Sequence, residues 1–175
     1  MRPCALVVDT SYLWDLFGLP HRDPSETETE RTERQNQMKK RFAAAYRSDS
    51  PVYVPYCVIF ETANSIAHIE DNARRKLLSN ALISSVESCI EKATPWVITP
   101  SEGTYLQKQD LLTLCQKFRH SSANKVGLTD IAIVHEAERL KYKYQFENRH
   151  VHIWTADRRL KEEQPDSEGA KCPAC

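Results

Sequence analysis

Glycine is scarce in this chain of 175 residues, with only Gly18, Gly103, Gly127 and Gly169. Four isolated glycines cannot form a Gly-rich phosphate loop, so a P-loop or dinucleotide fingerprint is excluded. An excess of one charge is also missing. The 24 Lys+Arg balance the 24 Asp+Glu, and the formal net charge is zero. That rules out a wholesale basic coat, so any contact with nucleic acid must rest on local asymmetry. No apolar run approaches the roughly 18–20 residues of a membrane span. The N-terminus has no apolar segment ending in a small-residue cleavage site, so secretion is not expected.

What is present suits one domain, since roughly 100–200 residues commonly form one. The 41% apolar residues can supply its core. Cys4, Cys57, Cys89 and Cys115 are widely spaced among apolar neighbours, which predicts buried, reduced thiols in a cytoplasmic protein. Cys172 and Cys175 have CxxC spacing, but two thiols are only half of a structural zinc site. They read as part of a disordered tail over 164–175. His21, His68, His135, His150 and His152 have no paired metal spacing and read as structural or surface residues.

Strands and helices alternate along the chain. Residues 4–9 form an apolar run ending in an acid and predict a buried strand. A short helix follows over 10–17. The polar segment over about 20–41 reads as an insertion, with a surface-lying helix begun by a capping box at Ser25-Glu26-Thr27-Glu28. Residues 52–55 predict a second strand. A helix over 56–70 carries Val58, Ile59, Phe60, Ala63 and Ile66 at apolar positions. A further helix over 72–92 carries Leu77, Leu78, Leu82, Ile83, Val86 and Ile90. Residues 96–99 predict a third strand, and Ser101 caps a helix to about Phe118. A helix from Asp130 to about Glu147 and a fourth strand over 151–155 complete the pattern, with a short helix over 157–163. Parallel strands need such crossovers, so the expected fold is a three-layer α/β/α sandwich with a central parallel sheet over residues 1–163.

Four acids stand out against these elements. Asp9 closes the first strand, Glu61 lies in the second turn of the helix after the second, Asp130 opens a helix, and Asp157 follows the fourth strand. Sites in open α/β sheets form at the carboxyl ends of strands, so the four can converge. Each aspartate alone is also explained as a helix cap or first-turn residue. Glu61 follows Val58-Ile59-Phe60 and is expected to be buried, which demands a cation or a proton. Clustered carboxylates stay ionised together only when a cation neutralises them. An all-oxygen set selects Mg²⁺ or Mn²⁺, one or two ions, and such ions serve phosphodiester hydrolysis.

Val7-Val8-Asp9-Thr10-Ser11, then Val54-Pro55 with Glu61, then Leu128-Thr129-Asp130-Ile131-Ala132, and last Thr155-Ala156-Asp157-Arg158-Arg159 occur in this order. In that order the chain resembles a PIN-domain nuclease, the fold of the VapC-type toxins. The resemblance spans residues 4 to about 160. It implies a metal-dependent endoribonuclease with Asp9, Glu61, Asp130 and Asp157 as ligands and catalytic acids, leaving 5′-phosphate and 3′-hydroxyl ends. It implies supporting roles for Thr10, Ser11, Thr129 and Thr155. A toxin of this kind implies an antitoxin protein lying across the crevice, and a homodimer. The same scaffold in RNA processing, in antiviral defence or acting on DNA is the alternative. A non-catalytic RNA- or protein-binding module is a third.

Several cations lie near these motifs in sequence. Lys117, Arg119, His120 and Lys125 precede the third acid, and Arg158 and Arg159 follow the fourth. If the acids converge, these cations flank the crevice and can hold RNA phosphates. Otherwise they are solvated surface. Tyr142 and Tyr144 alternate with Lys141 and Lys143, a pattern of helix packing more often than of base stacking.

Overall fold

A computed structural model describes residues 4–20, 25–100, 108–121, 126–147 and 149–166. Its elements in chain order are β1 (Cys4–Val8), α1 (Thr10–Phe17), α2 (Glu28–Arg47), β2 (Val52–Pro55), α3 (Tyr56–Ala67), α4 (Asn72–Lys92), β3 (Val97–Thr99), α5 (Lys108–Ser121), α6 (Leu128–Lys143), β4 (His150–Trp154) and α7 (Arg158–Glu162). The four strands form one sheet in the order β3-β2-β1-β4, and every pairing is parallel. Helices flank this sheet, giving the three-layer α/β/α sandwich. Among the described residues, no helix is long and apolar enough to cross a membrane.

The order of strands fixes where a site can form. The chain steps from β1 to β2 to β3 in one direction, then returns to place β4 on the other side of β1. The reversal lies between β1 and β4, where the loops leaving the two carboxyl ends diverge and open a crevice. Both strands are packed on both faces, β1 wholly apolar and β4 carrying His150 and the buried His152. Cys4 to Val8 and Val151 to Trp154 are all buried, with Val7 in register with Ile153. Burial on this scale contributes roughly 1.5–3 kcal/mol for each large side chain, so the sheet edge is a rigid base.

Several sequence expectations are corrected. The capping box of α2 is Thr27 with Glu30, not Ser25 with Glu28, since Thr27 Oγ1 accepts from the Glu30 N–H at 3.3 Å and Glu30 returns a bond to the Thr27 N–H at 2.8 Å. Two overlapping frames compete there, and the later one matches the first helical residue. The helix is also more than a surface element. Its buried residues Met38, Phe42 and Ala45 form one stripe. Phe42 packs against Trp96 and Trp154 with ring centroids 6.2 and 5.2 Å away. Arg34 ties α2 to the end of α1, pairing with Asp15 and Glu26 and donating to the Leu19 carbonyl at 3.2 Å. Gly18 makes this approach possible. It ends α1 with φ +64°, and a Cβ there would lie 3.2 Å from the Gln35 side chain.

The predicted apolar faces are narrower than their sequence pattern. Phe60, Leu77, Ile83 and Ile90 are exposed, while Ile59, Leu78 and Leu82 are buried. Of the thiols, Cys4 and Cys89 are buried, Cys57 is half-buried and Cys115 is exposed, all four free. Helix α6 begins at Leu128 rather than Asp130 and ends at Lys143. Tyr144 caps it from inside, buried with its hydroxyl against that of Tyr53, so it cannot stack on a base. The segment over 164–166 is tied to the sheet rather than loose. Asp166 accepts from the Val151 N–H at 2.8 Å and pairs with Lys141. The proposed Ser101 cap, Lys125 and residues 167–175 lie outside the described residues.

Candidate active site

Asp9 occupies the end of β1 at the reversal point. Its backbone N–H donates to the Trp154 carbonyl at 3.0 Å, which extends the β1–β4 ladder by one residue. The side chain is 8% exposed and caps α1, with Oδ1 accepting from the Thr10 N–H at 2.6 Å. Oδ2 accepts from Ser11 Oγ at 2.7 Å and from Thr155 Oγ1 at 2.8 Å. Three donors therefore hold this carboxylate in one orientation.

Two of the other acids are tied in by the same short segments. Thr10 Oγ1 donates to Glu61 Oε2 at 2.8 Å, joining the first motif to α3. Thr155 Oγ1 also accepts from the Asp157 N–H at 2.9 Å, so one hydroxyl joins the first acid to the fourth. Asp157 caps α7, with Oδ1 accepting from the Arg159 N–H at 2.8 Å. Asp130 lies at the third position of α6, and its Oδ2 accepts from the Gly127 N–H at 2.8 Å. Gly127 permits that fold-back, since a Cβ would lie 3.2 Å from Asp130 Oδ2. Thr129, expected to support Asp130, makes no hydrogen bond to the four acids among the described residues.

The charges of the four acids act on one another. Burial pushes the Asp130 carboxyl above the ordinary carboxylate value. The Gly127 N–H opposes that, and the charges of Asp9, Asp157 and Glu61 push it further up. No Lys or Arg side chain among the described residues pairs with any of the four. One expectation about Glu61 is wrong: it is exposed at the mouth of the crevice, not buried among its apolar sequence neighbours. Cys57, one turn earlier, is half-buried, and burial pushes its thiol up to about 11.

Among the described residues, no three His, Cys, Asp or Glu side chains stand close enough to hold one metal ion. Asp130 and Asp157 are each turned toward their own helix N-terminus, as expected of helix-capping aspartates. The donor set nevertheless suits a hard cation. Glu61 Oε1, Asp130 Oδ1 and Asp157 Oδ2 make no hydrogen bond among the described residues. Mg²⁺ commonly uses one or two carboxylates and retains several waters. Asp9 and Glu61, both bonded by Thr10, are the two carboxylates that would hold such an ion.

A cleft of about 400 Å³ opens beside Asp130 and Asp157. Val126, Ile131, Val134 and Leu160 form its apolar part, and Lys117, His120 and Arg159 lie on it. Lys117 donates to Glu138 at 2.9 Å. Arg158 points away, 93% exposed, and pairs with Glu162 at 3.2 Å. Arg119 lies on the exposed side of α5 and does not line the cleft. Sequence reasoning did not single out the cleft's apolar floor, whose residues come from three separate segments.

No family model matches the chain, and no curated protein or solved structure is significantly similar to it.

Proposed function

We propose that this protein is a metal-dependent phosphodiesterase. More narrowly, it is an endoribonuclease of the PIN type. The observation that carries the reading is geometric: at the sheet's reversal point Thr10 bonds both Asp9 and Glu61, Thr155 bonds Asp9 and the Asp157 N–H, and the charges of these three acids reach Asp130. Four carboxylates so placed repel one another, and a divalent ion relieves that repulsion.

When bound, such an ion offsets charge on a scissile phosphate and makes water a better nucleophile. The chain's own residues do the rest. Ser11 and Thr155 hold Asp9 still, so little reorganisation is needed during reaction. Thr10 orients Glu61 from the facing helix. Asp130, whose Oδ2 is held by the Gly127 N–H, keeps Oδ1 available to orient a water. Lys117, His120 and Arg159 hold the phosphates beyond the cleavage point, as Lys and Arg do in general. The balanced net charge favours an enzyme that engages a short stretch of RNA rather than coating it.

The test is cleavage of matched RNA and DNA oligonucleotides with Mn²⁺, with calorimetric titration of Mn²⁺ alongside. RNA should be cut, EDTA should stop it, and Asp9→Asn should lose both cleavage and most of the heat of binding. Equal cleavage by Asp9→Asn would refute the mechanism, and preference for DNA would reassign the substrate.

A further inference from the structure

Two aromatic side chains on α3 are exposed beside the acids. Phe60 is 69% exposed and Tyr56 is 47% exposed. They lie one helical turn apart, with rings nearly parallel at 17° and centroids 6.4 Å apart. An exposed pair of this size costs solvation and adds nothing to the core. Helix propensity does not call for it either, since aromatics are middling helix formers.

Position links the pair to the site. Tyr56 follows β2 directly, at the same carboxyl edge of the sheet where Asp9 follows β1. Strands β1 and β2 are neighbours. Phe60 immediately precedes Glu61, which Thr10 holds toward Asp9. The α5–α7 cleft with Lys117, His120 and Arg159 lies beside Asp130 and Asp157. From the carboxyl edge the order is an aromatic pair, the acids at Asp9 and Glu61, then a cleft of mixed charge that includes Asp130 and Asp157.

We infer that Tyr56 and Phe60 form a stacking platform for unpaired bases of single-stranded RNA on one side of the acidic centre. This rests on the nuclease reading and names the substrate class: single-stranded, with bases free of pairing. Every base has a π-face, so the platform contributes affinity without reading sequence. It also excludes a duplex, whose bases are already stacked on each other. The acidic centre itself repels phosphates until it is neutralised, so uncharged contacts beside it help retain the strand. A second copy of this chain is the competing occupant of the same apolar face.

The experiment is binding of fluorescein-labelled oligoadenylate to the full chain in EDTA, where the strand is not cut. Tyr56→Ala and Phe60→Ala should each weaken binding by about tenfold, and Phe60→Trp should restore or strengthen it. An abasic strand of the same length should bind wild type and Phe60→Ala alike. Mn²⁺ binding by calorimetry should be the same in wild type and Phe60→Ala, which separates the platform from the acids. If wild type binds oligoadenylate and both alanine variants bind it equally well, the platform is wrong and the nuclease reading survives. If wild type does not bind it and cuts no RNA with Mn²⁺, both fail. Light scattering gives the third outcome: a wild-type dimer that becomes monomeric in Phe60→Ala would assign this face to self-association and overturn the platform.

Discussion

Thr155→Val tests whether one hydroxyl holds the first and fourth acids together. Thr155 is 7% exposed, and its Oγ1 donates to Asp9 Oδ2 at 2.8 Å while accepting from the Asp157 N–H at 2.9 Å. Valine keeps the shape and removes both bonds. A hydrogen bond to a charged group contributes about 1.5–3 kcal/mol, and a neutral one about 0.5–1.5 kcal/mol. The expected loss is therefore about 2–4 kcal/mol. For a chain of this length each kcal/mol shifts the melting temperature by roughly 2–4 °C, so Thr155→Val should melt roughly 4–16 °C lower. The assay is calorimetric melting in EDTA, which isolates the protein's own bonds from any ion. Thr155→Ser keeps the hydroxyl and should melt much closer to wild type. Ser11→Ala removes another donor to the same oxygen, so the double variant should be non-additive. A Thr155→Val protein that melts with wild type would mean that the hydroxyl does not hold Asp9, and the account of a preorganised centre would fail with it.

Asp130→Asn should stabilise the metal-free protein at neutral pH while abolishing cleavage. The folded carboxyl lies above its ordinary value, so the folded state binds the proton more tightly than the unfolded one. Wild-type stability is then lost as pH rises from the ordinary aspartate value through the raised one. The variant's advantage should be absent at acid pH, grow through that window and level off above it; melting curves across pH that show no such growth would contradict the burial and crowding of Asp130. Phe42→Ala should cost about 3–5 kcal/mol, as expected for a core aromatic, because the ring packs between Trp96 and Trp154. Lys39→Ala, exposed on the same helix, should stay within about 0.5 kcal/mol. Equal denaturation midpoints for these two variants would return α2 to the surface role that its composition suggests.

The strands were legible because they are short and rich in β-branched and aromatic residues, with β1 an unbroken apolar run. The acids' positions at strand and helix ends were legible for the same reason: the ends of such runs are sharp. Helix faces were harder. In α3 and α4, apolar residues are adjacent in pairs, such as Ile59-Phe60 and Leu77-Leu78, and either member satisfies a helical period. Only the packing against β2 and β3 decides that Ile59 and Leu78 go inward. Glu61 was misjudged by the same route. Its apolar neighbours in sequence are not its neighbours in space, because Phe60 itself faces out. The joining role of Thr155 depends on the β1–β4 register across 146 residues, and no local pattern encodes that.

The way this chain treats its other buried acids sharpens the meaning of the cluster. Asp15 is 6% exposed and is paired with Arg34, and Glu136 is 7% exposed and is paired with Arg139. Leaving either charge unpaired would cost several kcal/mol, and an arginine is the ordinary remedy. Asp9 is as deeply placed, yet its side-chain partners are two hydroxyls, alongside one backbone N–H. Hydroxyls orient a carboxylate without cancelling its charge. Asp130 meets the same restraint, being stabilised by one backbone N–H and opposed by three acids. An internal arginine at this point would stabilise the fold and leave nothing for a cation to neutralise. The sequence places arginine and lysine nearby, at Arg159 and Lys117, on the cleft that Asp130 and Asp157 also line, yet among the described residues neither cation pairs with those acids and Lys117 is paired with Glu138 instead. A chain of zero net charge thus leaves both signs of charge side by side at one crevice without letting the cations cancel the four acids.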